Sequence, residues 1–362
     1  MVALAGIQGT FMAASKAVSL KALATAVPGN TILQSDAEEV ASQIFENRYS
    51  EFARLKAVFQ TAGIHKRQMA QPVEWYTEPK NWPQRGEAYL ESATALFIEA
   101  AQSALAQAEL AASEIDTIVI ISSTGIATPG LEARAFTDVG FRRDVKRVPV
   151  FGLGCAGGTS GLGMAMRLAQ ADPGSNVLIV VVELCSLSFR FDVLTKANIV
   201  ATALFGDGAA AAIVSADGDG DIILEGGREY TWPDTLNIMG WSVDEAGLGV
   251  IFDRAIPPFA RKHLAPAVDS MLSSLGFSRE DIGRFAFHPG GQKVIASIEA
   301  AMELGQGTLN VERDVLRDFG NMSAPTVFFV LERLIKTGLP ERTLISALGP
   351  GFTSSCVSLR AA

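Results

Sequence analysis

A chain of 362 residues, 48% of them hydrophobic, is long enough for about two domains and a sizeable buried core. With 34 glycines and only 19% charged residues, its composition is that of a compact α/β protein built on buried parallel strands. A net charge of −9 argues against nucleic acid as a partner, and three cysteines are too few, and odd in number, for a disulfide framework, so a reducing cytoplasm is expected.

No Cys-x-x-Cys or His-x-x-x-His pair suggests a metal site, and no run approaches the length of a membrane span. The apolar first twenty residues lack the basic start of a secretory signal, and residues 1–16 read as a tail. Residues 18–27 read as a strand stopped by Pro28-Gly29-Asn30. Ser35, with Glu38 three residues on, has the pattern of a capping box opening a helix. Arg54, Lys56, Lys66 and Arg67 read as a solvated helix face or as a patch for the phosphates of a large cofactor tail. An Ala-rich helix is predicted over 87–112 and apolar strands over 116–122, 176–182 and 209–214. Asp217, Asp219 and Asp221 imitate a calcium loop, but Ile222 and Arg228 stand where its Gly and bidentate Glu belong, so the segment reads as a turn.

The stretch 148–168 organises the rest. A short strand, 148–151, runs into a turn made by Gly152, Gly154, Gly157 and Gly158, and helical spacing follows over 159–169. Cys155 sits in that turn, where the positive end of the helix dipole and unpaired N–H groups favour a thiolate. A fall in pKa from about 8.5 to about 6.5 would raise the thiolate fraction at pH 7 from roughly 3% to roughly 75%. Two other readings fit the same residues. Gly152-x-Gly154-x-x-Gly157 matches a dinucleotide fingerprint, with Glu183 where a ribose ligand would lie. Cys155 could also be a buried structural thiol.

The two halves echo each other at an offset of about 165 residues, which implies a duplicated α/β unit. Ser113–Asp116 corresponds to Ser278–Asp281, Gly154-Cys155 to Gly320-Asn321, and 177–179 to 343–345. Two equivalent helix starts, one bearing Cys155 and one Asn321, could then converge on a pseudo-twofold axis. Of the three histidines, His65 and His263 read as surface or packing residues, whereas His288 follows strand 284–287 and precedes a Pro-Gly-Gly turn. A Cys, His and Asn brought together can hold an acyl group on sulfur and donate to an oxygen that gains charge.

The motifs GLGCAGGTSGL, ALFGDGAAA, FHPGGQKVI, FGNMSAPTVFFVLERL and LGPGFTSS occur in this order. From about residue 18 onward the chain resembles a type III polyketide synthase, the chalcone synthase-like branch of the thiolase fold. The resemblance implies a five-layer αβαβα sandwich of two halves, 17–218 and 219–362, that forms a homodimer. It implies Cys155 as acyl carrier, His288 and Asn321 as the pair that drives malonyl decarboxylation, and Phe205 as a gate toward a coenzyme A tunnel. Ser123, Gly349, Pro350 and Gly351 would line the substrate, and Arg54 would meet the coenzyme A phosphates. The substrates would be an acyl-CoA starter and malonyl-CoA, the product a cyclised pyrone or aromatic polyketide, with no added cofactor or metal and no membrane partner. An initiating 3-ketoacyl synthase that condenses once, and a dinucleotide-binding module, are the alternatives. The chain departs from the plant pattern: Val250 replaces a second gating Phe, Trp241 replaces a Gly, and Cys185 and Ser188 replace two cavity threonines. ELCSL and TGIATP resemble bacterial members, some of which accept long acyl starters. Short alkylpyrones or alkylresorcinols from medium or long starters are therefore expected.

Overall fold

The structure is a computed structural model that describes residues 17–361; the expected tail at 1–16 lies outside the described residues. Thirteen strands follow in chain order. They are β1 (Val18–Ala26), β2 (Asn30–Leu33), β3 (Lys66–Met69), β4 (Thr117–Ile121), β5 (Lys146–Val150), β6 (Asn176–Leu184) and β7 (Asp207–Ser215), then β8 (Ile222–Thr231), β9 (Met239–Asp244), β10 (Gly247–Phe252), β11 (Arg284–Phe287), β12 (Arg342–Gly349) and β13 (Thr353–Ala361). Nine of them form one sheet in the order β11-β12-β13-β8-β1-β7-β6-β4-β5. The halves repeat a pattern: β4 and β6 are parallel with β7 antiparallel beside them, and β11, β12 and β13 match. β1 and β8 touch only through Val18–Leu224 and Ser19–Ile223, so this contact is the seam.

The strand sequences explain the layering. β4, β6 and β7 are buried almost end to end, as in a sheet covered on both faces. One face of the first half packs on the helix Trp82–Ala108, whose Ala93, Ala100, Ala101 and Ala104 meet Ala209 and Ala211. The other face packs on the helices Gly157–Ala171 and Thr326–Thr337, which the second half-sheet covers from the opposite side through Ala286, Ile345 and Val357. The helices Ile256–Leu275 and Gln292–Ala301 close the outside of that second half-sheet. The result is the expected five-layer αβαβα sandwich.

Local details differ from the sequence reading. The helix Gln34–Phe45 starts at an uncapped Leu33, and Ser35 hydroxyl turns to Asp36, so the Ser35–Glu38 capping box does not form. The Ala-rich helix begins five residues earlier than its periodicity, at Trp82, behind an N-cap where Asn81 and Gln84 cap each other reciprocally. Residues 217–221 make the predicted turn. Among the described residues no helix is long and apolar enough to cross a membrane.

The two inner helices approach through glycine. A Cβ on Gly158 would overlap the Ala324 carbonyl oxygen, and one on Gly157 would stand 2.8 Å from Ile121 Cγ2 and 3.2 Å from Ala324 Cβ. Gly158→Ala is expected to cost about 1–3 kcal/mol of stability, the usual penalty for overpacking a filled core. Denaturant unfolding measures it, and wild-type stability in this variant would show that the helices are not in close contact.

Candidate active site

Cys155 lies in the one-turn helix Gly154–Ala156, which runs straight into helix 157–171. The chain enters through Gly152 and Gly154, both at positive φ (96° and 48°), a conformation that favours glycine. Ser123 Oγ accepts the Gly152 N–H at 3.1 Å and the Gly154 N–H at 3.4 Å and so pins the turn from β4. Pro350 packs on Gly154, and a Cβ at Gly349 would press within 2.7 Å of Leu153 O and Ala156 N, so the LGPG segment braces the turn from behind. Gly154 and Gly157 make room for protein, Pro350 and Ile121 with Ala324, not for a pyrophosphate, and Gly152 serves its positive φ. Glu183 is fully buried, with its carboxylate accepting the Ser123 N–H at 3.0 and 3.1 Å, and has no face left for a ribose. The dinucleotide reading is excluded.

His288 and Asn321 come from the other half. His288 follows β11, and its N–H donates to Ser346 O at 2.9 Å. Asn321 is not the cap of helix 326–337, as its echo of Cys155 suggested; it lies five residues ahead, in a bridge with Phe205. Its Oδ1 accepts the Ser323 N–H at 2.8 Å and its Nδ2 donates to Gly290 O at 3.2 Å, which fixes the amide and leaves the second Nδ2 hydrogen available. Both ring nitrogens of His288 are buried without a partner. Cys155, His288 and Asn321 line a common cavity, floored by Phe252, Phe287 and Leu348.

A second cavity opens from Cys155 toward Ser123, Cys185, Phe205, Trp241, Val250 and Pro350. Trp241 and Val250 face each other across the β9–β10 hairpin, so the indole and the position of the missing Phe are neighbours. Cys185 and Phe205 also border a third, apolar channel that continues to Ser188, Phe189, Val73, Ile32, Val40 and Ile44. Phe205 thus stands where the second cavity meets the channel, ring centroid 6.3 Å from that of Phe252. Gly351 lines none of the three, and Arg54 is exposed on the short helix Phe52–Leu55, away from them. Sequence reasoning missed Phe252, Met239 and Ser323. Ser323 is held at φ 59° two residues beyond Asn321, and its hydroxyl donates to Cys155 Sγ at 3.4 Å. That the GNMS motif carries a second polar residue was its only signal.

The electrostatics differ from the expected thiolate. Burial pushes the Cys155 thiol up to about 11, against the Ser323 hydrogen bond and with help from nearby Glu183. Burial alone pulls His288 down to about 3. No hydrogen bond links the two, so the resting site holds a neutral thiol and a neutral imidazole. Burial raises Cys185 well above its ordinary value and Cys356 to about 12. Glu183 is itself raised by burial to about 7. No group of three or more His, Cys, Asp or Glu could hold a metal among the described residues. Iodoacetamide is expected to label Cys155 first, because it borders two cavities and its thiol is raised less than the other two. A raised pKa leaves thiolate scarce at neutral pH, so labelling should quicken about tenfold per pH unit from 7 to 9. A rate flat across that range would reveal a preformed thiolate–imidazolium pair, and peptide mapping to Cys185 or Cys356 would overturn the assignment.

The chalcone and stilbene synthase N-terminal domain model matches residues 8–218 and the C-terminal domain model matches 227–362. The 1,3,6,8-tetrahydroxynaphthalene synthase of Streptomyces peucetius subsp. caesius is 38% identical over 354 residues, covering 95% of this chain and 93% of that protein. The alpha-pyrone synthesis polyketide synthase-like Pks18 of Mycobacterium tuberculosis is 28% identical over 351 residues, covering 92% of this chain and 88% of that protein. The crystal structure of 1,3,6,8-tetrahydroxynaphthalene synthase from Streptomyces coelicolor, a bacterial type III polyketide synthase, superposes with a TM-score of 0.90 at 28% identity, covering 95% of this chain and 99% of that one. A cysteine turn braced from both halves of a five-layer sandwich therefore has the lineage its motifs suggested: the chain belongs to the chalcone and stilbene synthase family of type III polyketide synthases.

Proposed function

We propose that Cys155 carries the growing acyl chain as a thioester while His288 and Asn321 decarboxylate malonyl-CoA beside it. The observation that carries this reading is one buried cavity lined by all three side chains, with both His288 ring nitrogens unpartnered and one Asn321 N–H available. As the malonyl carboxyl leaves as carbon dioxide, its bonding electrons pass to the thioester oxygen, and these N–H groups are the donors that meet the enolate. The enolate carbon then attacks the carbonyl of the acyl-Cys155 thioester and expels Cys155 as a thiolate; the chain, two carbons longer, is now a coenzyme A thioester, which the thiolate attacks in turn to reload Cys155 and release coenzyme A. Because thiol and imidazole are both neutral at rest, the Cys155 proton moves to His288 within the acyl-transfer step rather than before it, and passes from His288 to the coenzyme A sulfur as that sulfur leaves. The acyl chain rides on sulfur throughout, so no organic cofactor or metal enters the cycle.

The two halves of the site correspond to 17–218 and 219–362, and the active form is a homodimer. β5 supports this: it is an exposed edge strand, and beside it Phe151 and Ile126 stand 55% and 59% exposed. Three free, buried cysteines accord with a cytoplasmic enzyme. Arg54 remains the proposed contact for the coenzyme A phosphates.

The starter is a medium or long acyl-CoA. Its tail runs past Cys185 and Phe205 into the apolar channel, and Trp241 limits the number of extensions on the other side. Each buried methylene contributes roughly 0.8 kcal/mol, so six of them contribute about 5 kcal/mol before ordering costs. The products are then alkylpyrones or alkylresorcinols, and the relative named for alpha-pyrone synthesis supports the first.

Two experiments test this. Cys155→Ala should keep malonyl-CoA decarboxylation and lose condensation, whereas Asn321→Ala should lose on the order of 10²–10³ in decarboxylation, the scale for one oxyanion donor. Wild-type decarboxylation without Asn321 would remove it from the mechanism. Mass spectrometry of products from a starter panel should show long acyl-CoAs outcompeting aromatic ones, and Cys185→Phe should block the long starters while sparing acetyl-CoA. An unchanged ratio of long to short starters in that variant would mean that the tail takes another route.

A further inference from the structure

Arg67 stands apart from the basic residues it was grouped with. It lies on β3, not on a helix, and is only 2% exposed, so it serves neither a solvated face nor a phosphate patch. Its stem fills space left by glycine: a Cβ on Gly320 would stand 2.8 Å from both Arg67 Cγ and Cδ, and one on Gly206 would stand 3.5 Å from Arg67 Cβ. The guanidinium Nη1 donates to Thr202 O at 2.6 Å and to Phe205 O at 2.8 Å. These carbonyls close the helix Lys196–Leu204, whose C-terminal end attracts a cation. The same segment is laced to Asn321. The Asn321 N–H donates to Leu204 O at 2.8 Å and the Gly206 N–H to Asn321 O at 3.0 Å. Arg67 also borders the apolar channel, with Tyr76 and Ser186 around it and Asp207 near enough to attract its charge.

We propose that Arg67 is a positioning residue for decarboxylation: its guanidinium clamps the Thr202–Gly206 segment, and through it sets both the gate ring of Phe205 and the amide of Asn321. The inference rests on the reading of Asn321 as an enolate donor. It places the wall of the acyl channel and the decarboxylating amide on one buried side chain, so that the two cannot shift independently. Both carbonyls at this helix end are met by the single nitrogen Nη1, which the planar guanidinium and its buried stem hold in place more firmly than a flexible ammonium would be held.

The test uses full-length wild-type, Arg67→Met and Arg67→Lys, each counted by Cys155 alkylation so that rates refer to folded sites. Malonyl-CoA decarboxylation is measured as kcat and KM, alongside thermal unfolding and the ratio of long to short starters consumed. Arg67→Met should lower kcat for decarboxylation roughly 10- to 100-fold, as expected when a reacting group is misplaced from a distance, with KM nearly unchanged. Its starter ratio should move as well, and Arg67→Lys should restore both in part. A residue that only stabilises the fold would lower the melting temperature and leave kcat per labelled site at the wild-type value in both variants; that result overturns the proposal. If Arg67→Met does not fold, Arg67→Lys decides by the same criterion. Absence of decarboxylation in the wild-type enzyme would instead strike the reading of the site itself.

Discussion

The close crossing of two helices between the sheets is the constraint on which the rest depends. Gly157 and Gly158 let helix 157–171 seat against Ala324 at the start of helix 326–337, with no side chain between the backbones. That contact carries the Cys155 turn from one half up to Ser323 and Asn321 from the other, and it lies at the centre of the largest apolar cluster, among Leu162, Val327, Phe328 and Leu331. Packing this dense leaves no slack, so the site inherits the rigidity of the core. The repeated topology puts two chemically different groups at equivalent places: a thiol at one inner helix start, an amide near the other.

Deep burial then sets the charge state. Desolvation holds Cys155 and His288 in their neutral forms and raises Glu183. A site that begins neutral gains negative charge only when substrate brings it, as thiolate passing to thioester or as enolate. The His288 ring nitrogens make no hydrogen bond to protein and line the cavity, where a bound substrate can meet them. Ser323 adds a weak donor to the Cys155 sulfur that eases the same change.

Much of this was legible in the residues. A cysteine among glycines, a histidine before Pro-Gly-Gly and an asparagine in a matching repeat position single out the three side chains that line one cavity, because scarce chemistry in special turns leaves few other readings. The buried strands read correctly, since continuous apolar runs such as 177–182, within the strand predicted over 176–182, have few alternatives. What escaped was set by tertiary contact. Arg67 looks like its neighbours Lys66 and Arg54 in sequence, and only the glycines at 206 and 320, far along the chain, open a buried slot for it. The Ser35 cap failed because packing starts the helix ahead of it, at Gln34, whose side chain is bonded to the Phe59 and Ala203 carbonyls. The thiol's pKa was misjudged because helix-end electrostatics act locally while desolvation depends on the whole surrounding sandwich.

The central claim is that one cysteine of three carries the acyl chain. Brief mixing with decanoyl-CoA, without malonyl-CoA, followed by acid quench and peptide mass spectrometry, tests it directly. The account predicts a decanoyl thioester on the peptide bearing Cys155 and none in Cys155→Ala. A decanoyl group on Cys185 or Cys356, or none at all in an enzyme that still makes product from decanoyl-CoA, would contradict it.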